Sequence, residues 1–185
     1  MVDGDWQWVR PSLSLGFCLT VARDRRVPEV ADILEIDPDD RPVLPWPEAV
    51  EEFGFDEPVA RIGVAGAWSF VWQEPGAEAG ARDVLTRLAE DGGEALTVWR
   101  TANALSVFGQ ARDGELLVEF ELLRPEERTG ADPDLLVPLM RQVGLDRAGA
   151  PDPVPAALRM LTELTGVLLD RQTVDAPLLT GVVRV

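Results

Sequence analysis

The sequence predicts an α+β fold in which an antiparallel β-meander is covered on one face by about four helices. Three observations carry this reading. Short runs rich in β-branched and aromatic residues fill the first two thirds of the chain. Asp113-Gly114 is a hairpin turn between two of them. Helical periodicity is concentrated in the last third, and strands followed by helices imply α+β. The 185 residues suit a single domain, residues 1–185, able to bury a core without metal or disulfide.

The elements follow in order. Residues 15–22 (LGFCLTVA) form a short apolar run and read as a strand. Pro28 opens a short helix to about residue 34, with Val30, Ile33 and Leu34 on one face. An acidic, proline-rich connection at about 37–58 follows, extended and facing solvent, because Pro38, Pro42, Pro45 and Pro47 break regular structure. Residues 59–64 and 68–72 are strands around the turn Ala65-Gly66-Ala67, and 76–80 is a loop. Residues 81–90 are an amphipathic helix carrying Val84, Leu85 and Leu88, stopped by Gly92-Gly93.

Residues 94–100, 105–111 and 116–121 are the three strands of the clearest meander, and the earlier pair extends it to five. Asp132-Pro133 reads as an N-cap with proline behind it, leading a helix through Leu135, Leu136, Leu139, Met140 and Val143. A second helix spans about 155–164 and stops at Gly166. Residues 178–185 alternate as a last strand.

Composition excludes more than it identifies. The chain has no histidine, tyrosine or lysine, and all 17 basic residues are arginine, a bias expected of a GC-rich genome. The commonest general base, the commonest zinc nitrogen ligand and any Schiff-base or phosphate-loop lysine are therefore missing. Gly-x-Ser-x-Gly and Gly-x-Gly-x-x-Gly are absent. No cofactor, metal site or catalytic residue is expected, and the chain reads as a non-enzyme. Residues 1–10 are acidic and lack the pattern of a secretory leader. No apolar run of about 18 residues predicts a membrane helix. Cys18 stands alone, so no internal disulfide forms; the cytoplasm is the expected compartment.

The net charge of −16 argues against nucleic acid and anionic membranes, both of which repel it. It suits a basic protein partner. Residues 29–57 hold eleven acids and one base, Arg41, and so carry −10 of that charge. Other chemistries are weaker. Cys18 sits in an apolar strand and reads as an inert, buried thiol. Glu119 and Glu121 share a strand face, as a paired-carboxylate hydrolase would require, but read as solvent-facing. The run from Asp37 to Asp40 lacks the glycine and closing glutamate of a calcium loop.

Of six tryptophans, Trp68 and Trp72 share a strand face with Phe70 and read as core. Trp6, Trp8 and Trp46 lie in polar or proline-rich surroundings, and any left exposed is a candidate partner site.

Several short motifs resemble a known family. They are Phe17-Cys-Leu-Thr-Val21, Gly66-Ala-Trp68, Leu96-Thr-Val-Trp-Arg-Thr-Ala-Asn-Ala104, Asp113-Gly114, Gly130-Ala-Asp-Pro-Asp-Leu-Leu136 and Leu164-Thr-Gly-Val167. In this order they resemble an uncharacterised, single-domain family of unknown function common in actinobacteria. Where that family usually has Trp-Asn-Val-Asn, this chain has Trp99-Arg-Thr-Ala-Asn103, so Arg100 replaces the first asparagine. The resemblance implies a fold class and an actinobacterial source, and no activity.

The expected function is a non-catalytic acidic protein-binding module, an immunity- or antitoxin-like neutraliser of a basic protein. Asp37, Asp39, Asp40, Glu51 and Glu52 would face the partner, with Trp46 as an anchor. The alternative is a small-molecule or peptide sensor with a pocket between sheet and helices. Trp68, Trp72 and Trp99 would line it, and Arg100 and Asn103 would supply polar contacts.

Overall fold

In the computed structural model, which describes residues 6–149 and 153–185, the organising element is β1 (Gly16–Arg23). Its apolar run is buried from Gly16 to Ala22. Successive side chains of a strand point to opposite faces. Phe17, Leu19 and Val21 therefore enter one core, and Cys18 and Ala22 enter a second core behind the sheet.

Seven further strands surround it: β2 (Val43–Leu44), β3 (Val59–Ala65), β4 (Trp68–Gln73), β5 (Glu94–Thr101), β6 (Ser106–Arg112), β7 (Glu115–Glu121) and β8 (Leu178–Val182). All pair antiparallel in the order β2-β8-β3-β4-β1-β5-β6-β7. Leu19 lies opposite Trp72 on one side and Val98 on the other. Asp113 and Gly114 both take positive φ, 51° and 75°, as their hairpin requires.

The helices divide between the two faces, where the sequence predicted cover on one. Helices α4 (Val137–Val143), α5 (Pro153–Thr165) and α6 (Arg171–Asp175) pack on the first face, with a 3-10 segment, Gln7–Ser14. Helices α1 (Val27–Ile33) and α3 (Arg82–Leu88), with a short 3-10 turn, Glu78–Gly80, pack on the second. The central strands are apolar on both sides, so both sides need cover. Tryptophans draw the 3-10 segment Gln7–Ser14 into place. Trp6 is buried beside Trp8, Trp8 lies 5.0 Å from Trp72, and Trp72 stacks on Phe17 at 5.3 Å. Trp6 Nε1 donates to Thr162 Oγ1 and Trp8 Nε1 to the Leu169 carbonyl. Neither tryptophan is therefore a free partner site.

Three local expectations change. The stretch 37–58 is not an extended connection throughout. It contains β2 and α2 (Trp46–Phe53), because Pro45 takes the N-cap and Pro47 the first turn, where proline starts a helix rather than breaking one. The expected loop at 76–80 closes as the 3-10 turn Glu78–Gly80. The helix expected behind Pro133 begins only at Val137. Residues before it are drawn onto the edge of β7 instead: Glu119 and Thr129 exchange two backbone hydrogen bonds, and Ala131 and Asp132 donate to Leu116 and Leu117. This pairing covers an otherwise open sheet edge. Among the described residues no helix is long and apolar enough to cross a membrane.

Close packing between β3 and β4 is testable. A Cβ added at Gly63 would lie 2.5 Å from the Phe70 ring and 2.8 Å from Leu178. Gly63→Ala is expected to lower the unfolding free energy by about 1–3 kcal/mol in urea titrations, with the far-UV spectrum retained.

Candidate functional site

Three acids of the sequence segment, Asp39, Asp40 and Glu52, meet at the β2 edge of the sheet. Helix α2 buries Ala49 and leaves Glu48, Glu51 and Glu52 exposed. The loop before β2 carries Asp37, Asp39 and Asp40, all exposed. The Asp37 side chain accepts the Asp39 N–H at 3.0 Å and turns the loop. Asp39, Asp40 and Glu52 then line an open cleft of about 540 Å³ with Arg41, Pro42 and Leu44. Arg41 is already engaged, donating to the Ile36 carbonyl and pairing with Asp32 at 2.8 Å. Asp37 and Glu51 lie outside the cleft lining. Among the described residues Asp39, Asp40 and Glu52 have no ion-pair partner.

Beside α2 lies Arg61, on β3 and 1% exposed, in contact with the Trp46 ring at the start of that helix. Its guanidinium donates to the Leu44 carbonyl at 2.6 Å, the Ala176 carbonyl at 2.8 Å, and the Val174 carbonyl. One side chain thus ties β2, β3 and the α6 region together. Burial pushes its pKa down to about 10, which leaves it charged at neutral pH. Trp46 is not a free anchor. Its ring lies 5.6 Å from the guanidinium carbons of both Arg61 and Arg171, and edge-on to Phe55 at 6.3 Å. Arg171 in turn pairs with Glu74 at 3.1 Å and Asp175 at 2.9 Å. Asp170 caps α6, accepting the Thr173 N–H and hydroxyl at 2.7 Å, and these bonds hold its carboxyl below the usual range.

The tryptophan set of the sensor reading is not brought together. Trp68 and Trp72 belong to the first core. Trp99 points to the opposite face, packed on the second core over Gly80. Arg100 donates to the Leu13 carbonyl, and Asn103 is exposed in the β5–β6 turn beside the Thr101 hydroxyl. Trp68 lines a groove of about 410 Å³ beside residues 64–67 and 165–169.

The remaining candidates are accounted for by partners. Glu119 pairs with Arg82 at 2.6 Å and Glu121 with Arg124 at 2.7 Å. Cys18 is buried against Thr20 and Thr97, and burial pushes its thiol up to about 12. Among the described residues no group of three or more Cys, Asp or Glu is arranged to hold a metal ion. Sequence reasoning missed the Arg61 clamp. Its one signal was a lone arginine among the apolar residues of a predicted strand.

Residues 2–184 match a family of unknown function, DUF6461, and the chain belongs to it. No curated protein and no solved structure matches the chain.

Two measurements test this geometry. Arg61→Met leaves three carbonyls without their donor; it is expected to cost about 2–4 kcal/mol and to speed amide exchange in α2 and α6 ahead of the sheet. Alkaline pH isolates Cys18. Its thiol titrates near 9.0 when unfolded and about 12 when folded, so its contribution is full below pH 9 and declines as pH rises towards 12. Arg61, depressed to about 10, acts in the opposite sense above that pH. Stability is therefore expected to fall between pH 9 and 10, and Cys18→Ala to remove that fall.

Proposed function

We propose that this member of a family of unknown function is a non-catalytic, acidic protein-binding module that neutralises a basic protein partner, in the manner of an immunity protein or antitoxin. The observation that carries the reading is the β2-edge cleft, where Asp39, Asp40 and Glu52 converge and the one cation of the lining, Arg41, is engaged by Asp32 and the Ile36 carbonyl. The segment around it holds −10 of the net charge of −16. Such a field raises the encounter rate with a cationic surface and repels nucleic acid and anionic lipid.

Preorganisation supports the reading further. Arg61 and Arg171 hold Trp46, and with it α2, so Glu52 is presented from a fixed helix rather than a loose loop. Asp37 and Glu51, exposed outside the cleft lining, extend the acidic surface in this reading, and Trp46 serves as a positioning residue. An actinobacterial, cytoplasmic setting is part of this proposal. It rests on the arginine-only base usage and the single buried thiol.

The test compares wild type with a triple variant, Asp39→Lys, Asp40→Lys and Glu52→Lys. A partner captured from host lysate at low salt is expected to be basic. Its association with the variant should slow by about tenfold or more and lose most of its salt dependence. An unchanged on-rate with an unchanged salt slope would show that this surface is not the one used.

A further inference from the structure

The groove beside Trp68 carries an inference of its own, beyond the acidic surface. Alternate residues of a strand send their N–H and C=O groups to alternate neighbours. The Val183 N–H donates to the Pro58 carbonyl at 2.9 Å, which places the backbone groups of 58, 60, 62 and 64 on the β8 side of β3. Pairing with β8 ends at Ile62 opposite Leu179. The position that would face Val64 is Pro177, which has no N–H. The N–H and C=O of Val64 therefore leave the sheet edge without a hydrogen-bond partner among the described residues.

The opposite wall has the same property. Residues 166–169 follow α5 without regular structure, and the N–H and C=O of Leu168 make no hydrogen bond among the described residues. Between the walls lies about 410 Å³ of open space, within the range of about 300–1,000 Å³ typical of binding sites. Trp68 lies within its lining. Val64 and Leu168 are 61% and 47% exposed, large values for apolar side chains.

Charge then selects the occupant. No residue lining the groove is charged, although 27% of the chain is. A charged side chain entering it would meet no charged lining residue, and Asp170, bonded to the lining residue Thr173, already accepts that residue's N–H and hydroxyl. Unpaired backbone on a strand edge is satisfied by another extended backbone. We propose that this groove binds an extended, uncharged segment of a partner protein as an added strand on the β3 edge at Val64, with Leu168 closing the far side.

The test uses the full ¹⁵N-labelled chain and the peptide acetyl-Val-Thr-Val-Thr-Val-amide. Two further versions are N-methylated on alternate amides, one on each edge of the strand. The parent peptide is expected to shift the Val64 and Leu168 amide signals and to slow exchange of the Val64 N–H. One N-methylated version should bind about tenfold more weakly and the other like the parent, the signature of one-sided strand pairing. An equally long arginine peptide should leave Val64 and Leu168 unmoved, whatever it does at the β2 edge. Silence at both amides up to millimolar peptide would overturn the proposal. So would equal binding by both N-methylated versions, which marks an apolar pocket for small neutral ligands.

Discussion

Strand β1 has no solvent-facing side, and the architecture follows from that constraint. Phe17, Leu19 and Val21 need one apolar layer, while Cys18 and Ala22 need another. A strand buried on both faces sits in the middle of a sheet, and here it lies between β4 and β5 although it comes first in the chain. Its polar member, Thr20, is satisfied internally: its hydroxyl donates to the Ala79 carbonyl at 2.9 Å and lies 2.9 Å from the Thr97 hydroxyl. A buried hydroxyl without such partners would cost the fold. The same contact pins the 3-10 turn that carries Ala79 against the second face.

The second constraint is electrostatic. Eleven acids in 29 residues repel one another, yet part of that segment is ordered as helix and strand. Buried arginine makes this possible. Arg61 spends its donors on carbonyls of β2 and the α6 region rather than on the acids. Its positive charge lies beneath an acidic surface, and Trp46 packs against it and Arg171. Glu29, Asp32 and Glu35 are paired by Arg26, Arg41 and Arg87, while Asp39, Asp40 and Glu52 face outward without an ion-pair partner among the described residues. This division separates what holds the segment from what the segment can attract.

The β2-edge cleft and the β3-edge groove differ in chemistry. The β2-edge cleft is carboxylate-rich and suits a cation-bearing surface. The groove at the β3 edge is uncharged and bordered by unpaired backbone. As proposed, one selects by long-range field and the other by short-range pairing, so that one partner would meet them in sequence, encounter first and register afterwards.

Much of this was legible in the residues. The apolar run at β1, the Asp113-Gly114 hairpin, the paired strands around Gly66 and the amphipathic stretches of α3 and α5 are local signals, set by side-chain period and turn chemistry. The concentration of acid at 29–57 is likewise a property of the sequence. Tertiary structure decided the rest, because it depends on contacts between distant positions. Strand order, cover on both faces and the late start of α4 follow from long-range pairing, such as that of Glu119 with Thr129. Trp46 reads as an exposed anchor until Arg61 and Arg171 are seen beside it. Trp99 reads as a pocket partner of Trp68 until sheet pairing puts it on the opposite face. Local pattern determines what each segment can form; which segments meet is settled by which apolar faces and buried polar groups can be satisfied together.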